Sequence, residues 1–188
     1  MNRIVPEARL RTSEFLIAEF GPQEGRQFWT YLTVGLAFVP QAGGGPTPFV
    51  EVTANLDRRD DRAAQLLWVL AQHIAQQGPG APPFKLYDLW RHEAFGLREF
   101  ALLPAWEADS LLDFPNVKRR PDDGRYLLAT LGDVAGEHLL EWLQLVPLSQ
   151  EEWYEATANG LGPLFERLGW WSETPPRTHG WDLLAPQE

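Results

Sequence analysis

From Phe28 to Val39 the chain alternates with period two on both registers: Phe28, Thr30, Leu32, Val34, Leu36 and Phe38 interleave with Trp29, Tyr31, Thr33, Gly35, Ala37 and Val39. Nearly every position on either register is apolar or β-branched. A strand with two such faces has to be covered on both sides, so this segment predicts an interior strand of a sheet over 28–39. The run Phe49 to Asn55 is again aromatic and β-branched and predicts its returning partner, with the Pro- and Gly-rich 40–48 stretch between them as a wide connection. Glu14 to Phe20, closed by Gly21-Pro22, predicts a further strand.

At Asp60 the period changes. Ala63, Leu67, Leu70 and Ile74 recur at helical spacing, Asp60 is available as a cap and Gly78-Pro79 as a stop, which predicts an amphipathic helix lying on the sheet. Leu97–Leu103, Arg125–Leu131 and Leu139–Val146 predict later strands, separated by Pro104–Gly124 and Gly132–Glu137. The last of the three stops at Pro147. Ser149-Gln150-Glu151-Glu152 then has the spacing of a capping box and predicts a helix carrying Trp153, Ala156 and Thr157 on one face. Gly160 and Gly162-Pro163 interrupt it, with Pro163 placed as the first residue of a second short helix that holds Leu164, Phe165 and Leu168 and ends at Gly169. Strands, helix, strands, helix predict an α+β fold: one domain over 1–188, with a mixed, mostly antiparallel sheet and helices packed on it. With 188 residues, 44% of them hydrophobic and nine of them Trp, the chain can bury the core this needs.

Composition narrows the chemistry. The absence of cysteine removes disulfides, thiolate metal sites and cysteine nucleophiles. His73, His92, His138 and His179 are far apart, with no second His at the spacing that sets two imidazoles on one face, so no metal is expected. No Gly-x-Ser-x-Gly turn occurs, and Ser149 is accounted for as a cap. Gly43-Gly44-Gly45 is followed by Pro46 and a strand, not by a Lys-Ser/Thr pair and a helix, so it is not a phosphate loop. The pairs Asp122-Asp123 and Glu151-Glu152 suit a turn and a helix start. Taken together, these features predict no catalytic residues and no cofactor. A hydrolase assembled from distant loops is the reading that spacing alone leaves open.

The net charge of −10 works against a phosphate backbone and favours basic partners, so no nucleic acid is expected. The N-terminal sequence has no apolar run of signal-peptide length and no later segment is long enough to span a bilayer, which predicts a cytoplasmic protein without a membrane partner. Glu51, inside Phe49-Val50-Glu51-Val52, would place a carboxylate on a sheet face, where the plain expectation is that it points to solvent. Trp170-Trp171, with Trp181 beyond, concentrates aromatic surface near the C-terminus, either as core closure or as a docking patch.

In their order these segments resemble the suppressor-of-fused family. Phe28–Ala37 is similar to its strand with a Thr-Val-Gly-like core, and Phe49-Val50-Glu51-Val52-Thr53 to its Glu-Leu-rich strand. Leu143-Gln144-Leu145-Val146-Pro147-Leu148-Ser149-Gln150-Glu151-Glu152 resembles its strand-Pro-x-Thr/Ser-x-x-Glu signature, and Gly160–Leu168 its downstream Gly-x-x-x-Leu-Leu-like segment. The likeness runs over 14–168, and Tyr87-Asp88 stands where family members often have a Gly-Asp-like step. Animal members carry a second domain and bind transcription factors, and short bacterial relatives are associated with polymorphic toxin systems as immunity proteins. The resemblance therefore implies a domain that binds a protein without catalysis. Its partner would be a toxin, for which the acidic charge favours a basic domain, or, as the alternative, the target of a regulatory adaptor. Candidate partner-binding residues are Glu51, Asp88, Trp170 and Trp171.

Overall fold

The computed structural model describes residues 3–4, 15–23, 27–38, 49–76, 89–92, 98–104, 117–119, 126–129 and 137–168. Among these, nine strands make one mixed sheet: β1 (Arg3–Ile4), β2 (Leu16–Phe20), β3 (Trp29–Val34), β4 (Phe49–Leu56), β5 (Leu89–His92), β6 (Arg98–Pro104), β7 (Val117–Arg119), β8 (Tyr126–Ala129) and β9 (Glu137–Leu148). Three helices accompany it: α1 (Asp61–Gln76), α2 (Gln150–Asn159) and α3 (Leu161–Leu168). The α+β class with a mostly antiparallel sheet is the one expected.

The main path of the sheet is β1-β2-β3-β4-β9-β6-β5, and β8 joins β9 and carries β7. Every pairing is antiparallel except β4 with β9, whose register runs from Phe49 opposite Leu140 to Thr53 opposite Gln144. The long β9 gives one edge to β4 and divides the other, with its first residues against β8 and Leu143–Leu148 against β6.

One face of the sheet is largely apolar by alternation. Val50, Val52, Ala54 and Leu56 of β4, Ile17 of β2 and Leu143 and Leu145 of β9 pack against Ala63, Ala64, Leu66, Leu67, Leu70, Ala71 and Ile74 of α1 in a single core. All four residues read from the helical spacing, Ala63, Leu67, Leu70 and Ile74, are in it. Phe15 meets Trp68 of α1 at 4.8 Å between ring centroids, and Trp90 meets Phe100 at 5.7 Å. The opposite face has a smaller apolar cluster at the end of β9. There Val146, Leu148 and Ala101 pack with Ala156, Leu161, Leu164 and Phe165 of α2 and α3.

The starts of α1 and α2 are as the sequence indicates. Asp60 accepts the Arg62 amide at 3.0 Å and its own carbonyl accepts the Ala63 amide at 3.1 Å. At α2, the Ser149 hydroxyl accepts the Glu152 amide at 3.2 Å while the Glu152 carboxylate accepts the Ser149 amide at 2.8 Å, so both halves of the capping box are present.

Four expectations need correction, the first being that β9 does not stop at Pro147 but runs through it to Leu148, with Pro147 opposite Phe100. The strand at 28–39 ends at Val34, because Gly35 has φ 93° and Leu36–Phe38 form a 3₁₀ turn. Pro163 is the third residue of α3, which starts at Leu161 directly after Gly160 caps α2 at φ 81°. Thr157 is exposed, not on the packed face of α2, and its hydroxyl bonds back to the carbonyls of Trp153 and Tyr154. The short strands β1, β5 and β7 add to the expected set.

Candidate functional site

Glu51 belongs to β4, between two residues that alternate into the α1 core, and is only 4% exposed. It does not point to solvent. Its carboxylate closes the corner where β3 gives way to the 3₁₀ turn: Oε1 accepts the Gly35 amide at 2.9 Å and the Ala37 amide at 3.1 Å, and Oε2 accepts the Thr33 hydroxyl at 2.5 Å. Thr33 Oγ1 in turn accepts the Val52 amide at 2.7 Å and lies 3.3 Å from the Val52 carbonyl. Here the paired backbone register between β3 and β4 has ended, at Leu32 opposite Thr53, and a hydroxyl and a carboxylate take over the hydrogen bonding. Burial raises the Glu51 carboxyl to about 7, against the lowering effect of Thr33 and of the amides at Ala37, Gly35 and Leu36.

Beside this corner the second face of the sheet is polar yet buried. Thr30 and Asn55 are cross-strand partners, and the Thr30 hydroxyl donates to Asn55 Oδ1 at 2.7 Å. Thr53 and Gln144 are partners across the parallel pair, and both are buried. Thr53 Oγ1 meets no hydrogen-bond partner among the described residues.

A second charged cluster forms where β4 turns into α1. Glu19, 2% exposed, takes Arg59 Nε at 3.3 Å, and the Arg59 guanidinium lies 5.9 Å from the centre of the Trp29 ring. Tyr31 accepts the Asp60 amide at 3.0 Å and, being buried, has its phenol pushed above the usual range. Asp60 is gripped by the Arg62 guanidinium, whose hydrogen bonds hold its carboxyl below the usual value. Sequence reading missed this cluster. Its one signal was Glu19 on the same register as Phe15 and Ile17, a charge on a face that must be buried.

Of the candidate residues, Glu51 is placed as above, while Asp88, Trp170 and Trp171 lie outside the described residues, as do Gly43-Gly44-Gly45, Asp122-Asp123, His179 and Trp181. His73 is exposed on α1, and His92 and His138 fall on β5 and β9. No group of three or more His, Asp or Glu that could hold a metal ion occurs among the described residues. The Glu51 carboxylate is buried with both oxygens engaged by its own chain, and so is not presented to solvent.

The family model for the suppressor of fused protein matches residues 11–185. Among solved structures, a suppressor of fused homologue from Neisseria gonorrhoeae FA 1090 is similar, with a TM-score of 0.51 and 14% identity over 90% of this chain and 80% of that one. No curated protein matches.

Proposed function

Because the chain belongs to the suppressor of fused family, as the match over 11–185 establishes, we propose that it acts by holding a protein partner without turning it over. The partner in this reading is a toxin that the protein blocks in the cytoplasm, in the manner of an immunity protein. The observation that carries it is the extent of the family match, since the family is one of protein interaction and the match takes in nearly the whole chain.

The charge supports a basic partner. A net −10 steers a positively charged toxin domain toward the protein and raises the rate of encounter more than the final affinity. Asp88, Trp170 and Trp171 supply contacts in this reading, the indoles as buried anchors and the carboxylate as a charge partner. Glu51 contributes from beneath, by fixing the corner at Gly35–Ala37. Among the described residues no helix is long and apolar enough to cross a membrane.

Co-expression with the products of neighbouring reading frames tests the proposal. Restored growth beside an otherwise lethal product, with the two proteins co-purifying, is the expected result. A stable complex with a harmless protein would turn the reading to a regulatory adaptor, and an absence of any complex would contradict both.

A further inference from the structure

We propose that Glu51 and Thr33 form a proton-operated latch on the corner between β3 and the 3₁₀ turn, closed when Glu51 carries a proton and loosened when the proton leaves. The geometry serves both states. With Glu51 ionised, the Thr33 hydroxyl donates to Oε2 at 2.5 Å and accepts the Val52 amide at 2.7 Å. With a proton on Oε2, the direction reverses: Oε2–H donates to Thr33 Oγ1, and the Thr33 hydroxyl hydrogen turns to the Val52 carbonyl, already 3.3 Å away. Oε1 continues to accept the amides of Gly35 and Ala37 in either state. No heavy atom has to move for the proton to be taken up.

What differs is the cost of staying closed. A carboxylate hydrogen-bonded to neutral donors in a buried site gives up its hydration without a counter-charge. Among the described residues, those that bond to Glu51 or pair with it across the sheet are neutral: Thr33 from β3, the backbone amides of the turn, and Trp142 as its register partner on β9. The hydrogen bonds offset part of the desolvation, which is the larger effect and raises the carboxyl to about 7. Opening the corner returns the group to water, where the ordinary value is 4.5, so each step up in pH between these values favours the open corner. Gly35, at φ 93°, is the residue on which the backbone turns, since few other residues hold that angle.

The latch is independent of which partner the protein holds, and it is tested on the full chain without one. Hydrogen exchange at the Gly35 and Ala37 amides, corrected for intrinsic base catalysis, is followed from about pH 5.5 to about pH 8, where corner opening should rise on the order of tenfold. Glu51→Gln places an amide N–H where the acid proton sits and should give a flat profile. The carboxyl-carbon resonance of Glu51 in the unaltered protein supplies a second readout and should titrate near neutrality. A flat exchange profile in the unaltered protein, an unchanged rise in Glu51→Gln, or a carboxyl carbon titrating below about pH 5 would each overturn the latch.

Discussion

At the scale of single residues, the polar groups that matter are those the alternation of strands carries inside. Thr30 and Asn55 satisfy each other across β3 and β4, so Thr30→Val, which keeps the volume and deprives the buried Asn55 oxygen of this donor, should cost about 1–3 kcal/mol in urea unfolding. Ser149→Ala removes one half of an intact capping box and should cost about 1 kcal/mol by the same measurement. Glu51 sets a slope with pH. Its folded value is raised above the unfolded one, so its contribution is fully present below about 4.5 and is lost as pH rises through about 7. Glu51→Gln should therefore remove a decline in unfolding free energy across that window, whereas the same decline in the variant would assign it to another group. That Glu51 would be buried was not legible from Phe49-Val50-Glu51-Val52 alone. The signal lay in a second segment, at Gly35, where a glycine interrupts an otherwise bulky alternation and frees amides that need an acceptor.

At the scale of elements, periodicity predicts what packing decides. The 3.6-residue spacing of Ala63, Leu67, Leu70 and Ile74 finds α1 and its buried face because a helix covering a sheet has to present one apolar stripe. Leu67 is fully buried in that interface, and Leu67→Ala should cost about 2–5 kcal/mol in denaturant unfolding with α1 still formed by circular dichroism. The register of β3 was legible and its end was not, because Leu36 and Phe38 continue the alternation in sequence while Gly35 and the Glu51 carboxylate turn the backbone. Short β1, β5 and β7 leave no period to read, since two to four residues held by a neighbouring strand do not complete a pattern. The parallel pairing of β4 with β9 joins residues about ninety positions apart, and nothing local in either strand specifies it.

At the scale of the whole molecule, an acidic domain whose family binds proteins is expected to meet a basic partner through long-range attraction and to keep it through a desolvated contact. Raising salt from about 0.05 M to about 0.5 M should therefore slow association by about tenfold or more and leave dissociation nearly unchanged, read by surface-immobilised kinetics with the co-purifying partner. An equal effect of salt on both rates would place the charges inside the contact. The central claim, holding without turnover, is tested most directly by titrating this protein into a fixed amount of the proposed toxin partner and recording residual toxin activity. The account predicts a linear fall that ends at a fixed molar ratio and does not change with incubation time. Activity abolished at a small fraction of that ratio, and falling further with time, would show turnover and contradict it.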